Sequence, residues 1–460
     1  MTDPDIRDTL VNRMATHRID LERLVAIPSV SAAGFDHSEV RHCAVAVRDL
    51  LAARGCTDAR LLEVDGSHPA VYAEWLGAGD QRSTVLCYAH YDVQPPGDPD
   101  AWTTPPFEPT ERDGRLFGRG AADDKAGIMV HVAAIDAWLS THDHLPLNIK
   151  VLVEGEEETG SAHLGDLLDR YGDVLRADVV IITDSMNWQI GTPALTHSLR
   201  GLVDCVVEVR ALDHPVHSGM YGGPVPDALT GLVALLAGLV DASGAVAIPG
   251  FDDDAPPAGD VGIDVLDFDV DRFRAEAGVR DGVELIGGDD AHVLERLWYR
   301  PAISVIGLDA IPVAAASNTL TAAARAKVSA RLAPGQDPRR ALDLLVGWLE
   351  QHAPWGLEVA VTPGAVGNGY HADPDHPAMK AARRALASAY DAEPALIGVG
   401  GSIPLIEPLT RTFGDIPALL TGVEDPDTRA HGIDESLHLD DWERACLAEA
   451  YLLAELADGV

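Results

Sequence analysis

Short apolar runs alternate with stretches of helical period through the first half of this chain. Val85-Leu86-Cys87-Tyr88-Ala89, Ile149-Lys150-Val151-Leu152-Val153 and Val179-Val180-Ile181-Ile182-Thr183 read as buried strands, while residues 41–53 and 125–139 place apolar side chains at helical spacing. The alternation predicts an α/β domain with a mixed, mostly parallel sheet flanked by helices. From Gly201 onward the texture changes: 202–209, 322–331 and 357–361 read as strands, 227–240 and 341–352 as helices. That series fits an inserted α+β domain of the ferredoxin-like kind, strand–helix–strand–strand–helix–strand. Inside it, 251–271 is acidic and proline-rich without a steady apolar period, and is expected to be a long solvated loop. After Pro377 the alternation returns, with a helix over 378–390 and a strand over 418–422. The expected organisation is a main domain built from 1–199 and 373–460, split by an insert at 200–372.

All three strand candidates run into side chains that bind metals. The first enters His90-Tyr91-Asp92, the second Glu154-Gly155-Glu156-Glu157-Glu158, the third Asp184. In a parallel sheet, ligands and chemistry collect at the carboxyl ends of strands, so these endings should converge, and a histidine among carboxylates suits a zinc-type or manganese-type cation. Each has a plainer reading when taken alone. His90 and Asp92 could form a structural hydrogen bond, 154–158 a solvated acidic turn, and Asp123, after the glycine-rich 116–122, a helix N-cap. Two residues apart, however, His90 and Asp92 project to one side of a strand, where the carboxylate can fix the imidazole tautomer. Glu157 and Glu158 point different ways, so one can bind metal while the other faces substrate.

Composition narrows the partners. The 460 residues allow two or three domains, and 34 Lys plus Arg against 73 Asp plus Glu give a formal charge of -39, which argues against nucleic acid or an anionic membrane. Cys43, Cys56, Cys87, Cys205 and Cys446 are scattered without any C-x-x-C spacing, which points to a reducing compartment and against a cysteine-held zinc. The N-terminus has neither a basic leader nor an apolar core of a signal peptide, and the longest apolar helix candidate, 228–240, is far shorter than the ~20 residues of a membrane span. A cytoplasmic location is expected.

Six segments in order, Tyr88-Ala-His-Tyr-Asp-Val-Gln-Pro95, Gly118-Arg-Gly-Ala-Ala-Asp-Asp-Lys125, Glu154-Gly-Glu-Glu-Glu-Thr-Gly-Ser161, His217-Ser-Gly219, Gly400-Gly-Ser-Ile-Pro404 and Ala430-His431-Gly432, span nearly the whole chain. In wording and spacing they resemble the two-zinc amidohydrolase and metallopeptidase family of carnosine dipeptidases, Cys-Gly dipeptidases, aminoacylases, succinyl-diaminopimelate desuccinylases and carboxypeptidase G. Asp123-Asp124-Lys125 and Gln94-Pro95 lean toward the dipeptidase branch. The resemblance implies a zinc-exopeptidase-like catalytic domain with a ferredoxin-like lid, and two divalent ions, zinc first, with manganese or cobalt as alternatives. It implies that Asp123 bridges the ions, with His90 and Asp184 on one and Glu158 and His431 on the other. Glu157 becomes the general base on the water between them, and Asp92 orients His90. His217, Asn318 and Arg331 from the lid, with Ser402, become substrate-binding residues. Homodimerisation through the lid is implied as well, with His217 reaching the partner's site. The implied reaction is hydrolysis of dipeptides that have a free C-terminal carboxylate. The alternatives are deacylation of acetyl or succinyl amino acids and a non-catalytic metal-binding or peptide-binding relative. One departure stands out: many dipeptidase-like members carry an Arg-Glu pair before Gly-Gly-Ser, where this chain has Gly398 and Val399.

Overall fold

The structure, a computed structural model, describes residues 3–255, 266–288, 293–401, 406–414 and 416–457. The apolar runs form a mixed sheet with strands in the spatial order Asp58–Leu62, Ala70–Trp75, Asn148–Glu154, Thr84–His90, Val179–Ile182, Ala418–Leu420 and Ala194–Leu199. The four strands from Asn148–Glu154 to Ala418–Leu420 are parallel, and their neighbours on either side are antiparallel. Strands buried on both faces need near-continuous apolar sequence, and Val179–Ile182 is buried at every position.

The helix Lys125–His142 is buried without a break from Lys125 to Trp138 and packs against the helices Pro4–Val25 and Leu439–Ala457. A helix enclosed all round needs apolar residues all round, which explains why its sequence carries so few charges. The buried cation at its start is satisfied locally. Lys125 Nζ donates to the carbonyls of Leu24 (2.9 Å) and Ile27 (2.8 Å), at the negative end of Pro4–Val25. That first helix, absent from the expectations above, begins at an Asp3 cap with Pro4 as its first residue, a favourable N-terminal pairing.

By contact density the chain forms two compact units, 1–197 with 372–397 and 404–460, and 198–371 with 398–403. The second holds an antiparallel sheet in the order Ala302–Asp309, Ala323–Leu332, Gly201–Arg210 and Glu358–Gly367. The helices Ala228–Ala237 and Pro338–Gln351 cover it, their Leu232, Leu235, Leu345 and Leu349 packing with Val203, Val207, Val328 and Ala330. Strand order and connectivity are those of a ferredoxin-like α+β sandwich. The edge strand Ala302–Asp309 has no counterpart among the expected elements. It is largely exposed and bulged between Val305 and Gly307, so its pattern lacks the regular in-out alternation of a half-buried strand.

The expected solvated loop at 251–271 needs correction at both ends. Phe251 is a core residue of the second unit whose carbonyl accepts a bond from Gln336, and a helix, Val270–Glu276, begins before the loop was expected to finish. Residues 256–265 of that stretch lie outside the described residues.

Candidate metal centre

Because the central strands are parallel, their carboxyl ends reach one edge of the sheet together. His90 is in register with Glu154, and Tyr88 with Ile182, which brings Asp184, two residues further on, level with His90. Leu420 pairs with Ile182, and the chain beyond it leads into the loop that holds His431.

Asp123 sits between two histidines. Its Oδ1 is 3.1 Å from His90 Nε2 and its Oδ2 is 3.0 Å from His431 Nε2. Asp184 Oδ1 is 3.9 Å from His90 Nε2, and Glu158 Oε2 is 3.2 Å from His431 Nε2. One ligand atom from each of His90, Glu157 and Asp184 falls within 4.8 Å of the others, and the same holds for Asp123, Glu158 and His431. The N-cap of Lys125–His142 is Asp124 rather than Asp123, so the capping reading of Asp123 does not apply. Gly120, with φ +77°, lets this turn pass close to Val93, whose Cγ1 would lie 2.4 Å from any Cβ added there.

The surrounding groups fix the orientations. His90 Nδ1 is 3.1 Å from the Asp92 carbonyl oxygen and 3.5 Å from its carboxylate, so the main chain makes the closer contact. The Asp92 carboxylate accepts instead from Ser31 Oγ (2.7 Å) and Glu158 N (3.1 Å). Gln94 holds Glu158 through its backbone N (3.0 Å) and Nε2 (2.7 Å).

The electrostatics are those of a cluster short of positive charge. Burial raises the Glu157 carboxyl to about 9, with Asp184, Glu158 and Asp123 adding to the rise and His90 opposing it. Burial likewise raises Asp184 to about 6, with help from Asp123 and Glu158. Hydrogen bonds to Asp123 and Glu158 push His431 up to about 11. His90 Nε2 is fully buried without a hydrogen-bond partner. Imidazole and carboxylate donors that converge with unsatisfied atoms and mutually repelling charges fit a pair of divalent cations. A third grouping, Cys87, His131 and Glu449, does not call for metal. Both nitrogens of His131 are occupied, Nδ1 by Glu449 (2.7 Å) and Nε2 by the Tyr88 carbonyl (3.0 Å) and Thr183 (3.2 Å).

The remaining expected residues belong to the second unit or fall outside the description. His217 and Asn318 meet on a short ribbon, where Val216–His217 pairs with Thr319–Leu320 and Ser218 N donates to the Asn318 carbonyl at 2.9 Å. His217 is exposed, and its Nδ1 accepts from Gly219 N (3.1 Å), which leaves the Nε2 edge of the ring turned away from that bond. Arg331 pairs in register with Leu202. Ser402 lies outside the described residues.

One residue went unremarked in the sequence. Arg200 is buried beside Arg331, its Nε donates to the Gly400 carbonyl (3.3 Å), and burial together with the Arg331 charge lowers its guanidinium to about 10. Neither arginine forms an ion pair among the described residues, and two unneutralised guanidiniums within electrostatic reach of each other are suited to an anion. The signal available in sequence was slight: Arg200 is the one Lys or Arg between Trp188 and Arg210, set in an apolar run.

Comparison with known proteins identifies the family. The profile of "Peptidase family M20/M25/M40" matches residues 86–455, and the chain belongs to that family. It is 38% identical over 372 residues to a cysteinylglycine-S-conjugate dipeptidase of Corynebacterium striatum, covering 80% of each protein. It is 31% identical over 348 residues to a beta-Ala-His dipeptidase of Homo sapiens, covering 73% of this chain and 68% of that one. The crystal structure of human carnosine dipeptidase 1 superposes with a TM-score of 0.78 at 27% identity, covering 98% of both chains.

Proposed function

We propose that this protein is a metal-dependent dipeptidase that hydrolyses the amide bond of dipeptides with a free C-terminal carboxylate. The observation that carries the reading is the convergence of His90, Asp123, Glu158, Asp184 and His431 at one sheet edge, with the Glu157 carboxyl beside them. Dipeptidase activity in the named relatives supports it.

In this reading Asp123, His90 and Asp184 would hold one cation, and Asp123 with Glu158 and His431 would hold the other. Zinc suits the donor set best, with manganese or cobalt as substitutes. When bound, the cations supply Lewis acidity that makes water acidic near neutral pH and polarises the scissile carbonyl. Glu157, the carboxylate of the cluster that this reading leaves off the cations, takes the proton of the attacking water and returns it to the leaving amine. Asp92 steadies His90. In the second unit, which we propose acts as lid and dimerisation domain, His217 stabilises the oxyanion. Arg331, with Asn318 and Ser402, grips the substrate, and Arg200 adds a second guanidinium for its carboxylate. We place the protein in the cytoplasm, where its five free cysteines would stay reduced.

The test uses metal-stripped protein, with and without added zinc or manganese, on a panel of unblocked dipeptides and N-acetyl or N-succinyl amino acids. Amino acids should be released from the unblocked dipeptides only after metal is restored. Glu157→Gln should lower kcat by about 10³-fold at nearly unchanged KM. Activity confined to the acylated compounds would make the protein a deacylase instead.

A further inference from the structure

We propose that the buried pair Arg119–Glu435 is a clasp that sets the spacing of the metal centre by locking the turn that carries Asp123 against the loop that carries His431. The inference rests on the two-cation reading of the site. Glu435 is fully buried, and its carboxylate accepts four bonds. Oε2 takes Arg119 Nη1 (2.5 Å) and Gly120 N (3.0 Å), while Oε1 takes Ala122 N (3.1 Å) and Asp123 N (3.2 Å). One side chain therefore holds the backbone of the whole 120–123 turn, up to the bridging residue itself.

Arg119 works in the other direction. Its Nη2 donates to the carbonyl of Gly432 (2.9 Å), the residue after His431, and to that of Pro95 (3.4 Å), just past the His90–Asp92 segment. Its guanidinium lies 5.4 Å from the Trp102 ring, and the side chain is almost wholly enclosed. The strands leading into the two loops are zipped together as well. Arg115–Phe117 pairs with Ser436–His438, and Gly118 N donates to the Glu435 carbonyl at 3.0 Å.

The His431 loop needs such support. Arg429, His431 and Asp434 all have left-handed backbone, with φ of 57°, 61° and 58°, conformations that non-glycine residues hold only when their surroundings impose them. Metal sites tolerate ligand misplacement of only about 0.5 Å, and these ligands come from opposite ends of the chain. A buried ion pair adds little stability over an apolar pair of equal size, but its bonds are directional. Direction is what this position requires. Neither side chain is exposed to substrate, so both are positioning residues.

The experiment titrates Co²⁺ into metal-stripped full-length protein and follows the visible spectrum and the number of ions bound. The parent is compared with Glu435→Gln, Arg119→Lys and a control, Asp136→Asn. Asp136 anchors a separate cluster with Arg13 and His17. Melting of each metal-free variant is recorded in parallel. The parent should bind two Co²⁺ per chain. Both clasp variants should show an altered spectrum and a second binding event weakened about 10- to 100-fold. Asp136→Asn should melt earlier yet bind Co²⁺ as the parent does. If Glu435→Gln fails to fold, Arg119→Lys, which keeps the charge but loses the fork, decides alone. Parent-like stoichiometry and spectrum in the clasp variants would reduce the pair to a structural ion pair and overturn the inference. A parent that binds fewer than two Co²⁺ would overturn the two-cation reading and the clasp with it.

Discussion

Glu157 and Glu158 are neighbours in the chain but not in chemistry. Glu158 is held by two bonds from Gln94 and faces His431, whereas no hydrogen bond reaches the Glu157 side chain among the described residues. A held carboxylate makes a good ligand, and a free one beside a reacting water makes a good proton carrier. The same contrast applies to the arginines. If Arg200 and Arg331 receive the substrate carboxylate, Arg200→Met should raise KM for a dipeptide about 10- to 100-fold, as expected for loss of a charge-assisted bond. It should leave the C-terminally amidated dipeptide nearly unaffected, and Arg200→Lys should recover part of the loss. Equal damage on both substrates would assign Arg200 to packing. His90, Glu158 and Asp184 were legible because each ends an apolar strand within a few positions, whereas Asp123 and His431 sit in loops and stood out only through the family resemblance. Glu435 and Arg200 were not legible, since their meaning lies in contacts rather than in local pattern: Glu435 bonds a turn 312 residues before it.

At the scale of elements, Lys125–His142 brings a buried ion pair beneath the strand ends. Both nitrogens of His131 face acceptors, the Glu449 carboxylate and the Tyr88 carbonyl, an arrangement that favours the doubly protonated, charged ring. Burial alone would lower its pKa, but Glu449 and Cys87 together more than reverse this and the net shift is well upward. A folded-state pKa above the unfolded value of about 6.5 means that the pair stabilises fully below that pH and loses its contribution as pH rises toward the folded value. His131→Gln should therefore cost about 1–3 kcal/mol at pH 6, and the deficit should shrink steadily to pH 9, as read from urea unfolding in chelator. A deficit that stays constant across that range would mean the ring is neutral in the folded protein. The helix itself could be read from sequence because its apolar content is continuous. The strand Ala302–Asp309 could not, because an exposed edge imposes no alternation.

For the whole molecule, that edge strand is an exposed apolar feature with a consequence for assembly. Val305, Ile306 and Leu308 on it, and Ile311 and Val313 just beyond, are exposed apolar residues along a strand paired on one side only. Unprotected edges of this kind invite another strand, and the proposed occupant is a second copy of the same edge. Ile306→Lys should convert a dimer to a monomer in sedimentation without changing secondary structure. With a formal charge of -39 on each chain, added salt should tighten the parent dimer by screening the repulsion. Parent protein that sediments as a monomer at every salt concentration would leave the edge without this partner. Among the described residues no helix is long and apolar enough to cross a membrane.

The order of strands in the large sheet bears on how the chain is made. Ala418–Leu420 lies between Val179–Ile182 and Ala194–Leu199, so an interior place in the sheet is filled by a segment that leaves the ribosome long after both of its neighbours. Until then, the nascent protein presents an unpaired apolar strand edge, and it also lacks His431. A translating chain thus stays both incomplete as a sheet and unable to assemble the candidate metal centre until residues 418–431 have emerged, a stretch in which a chaperone has a defined surface to cover.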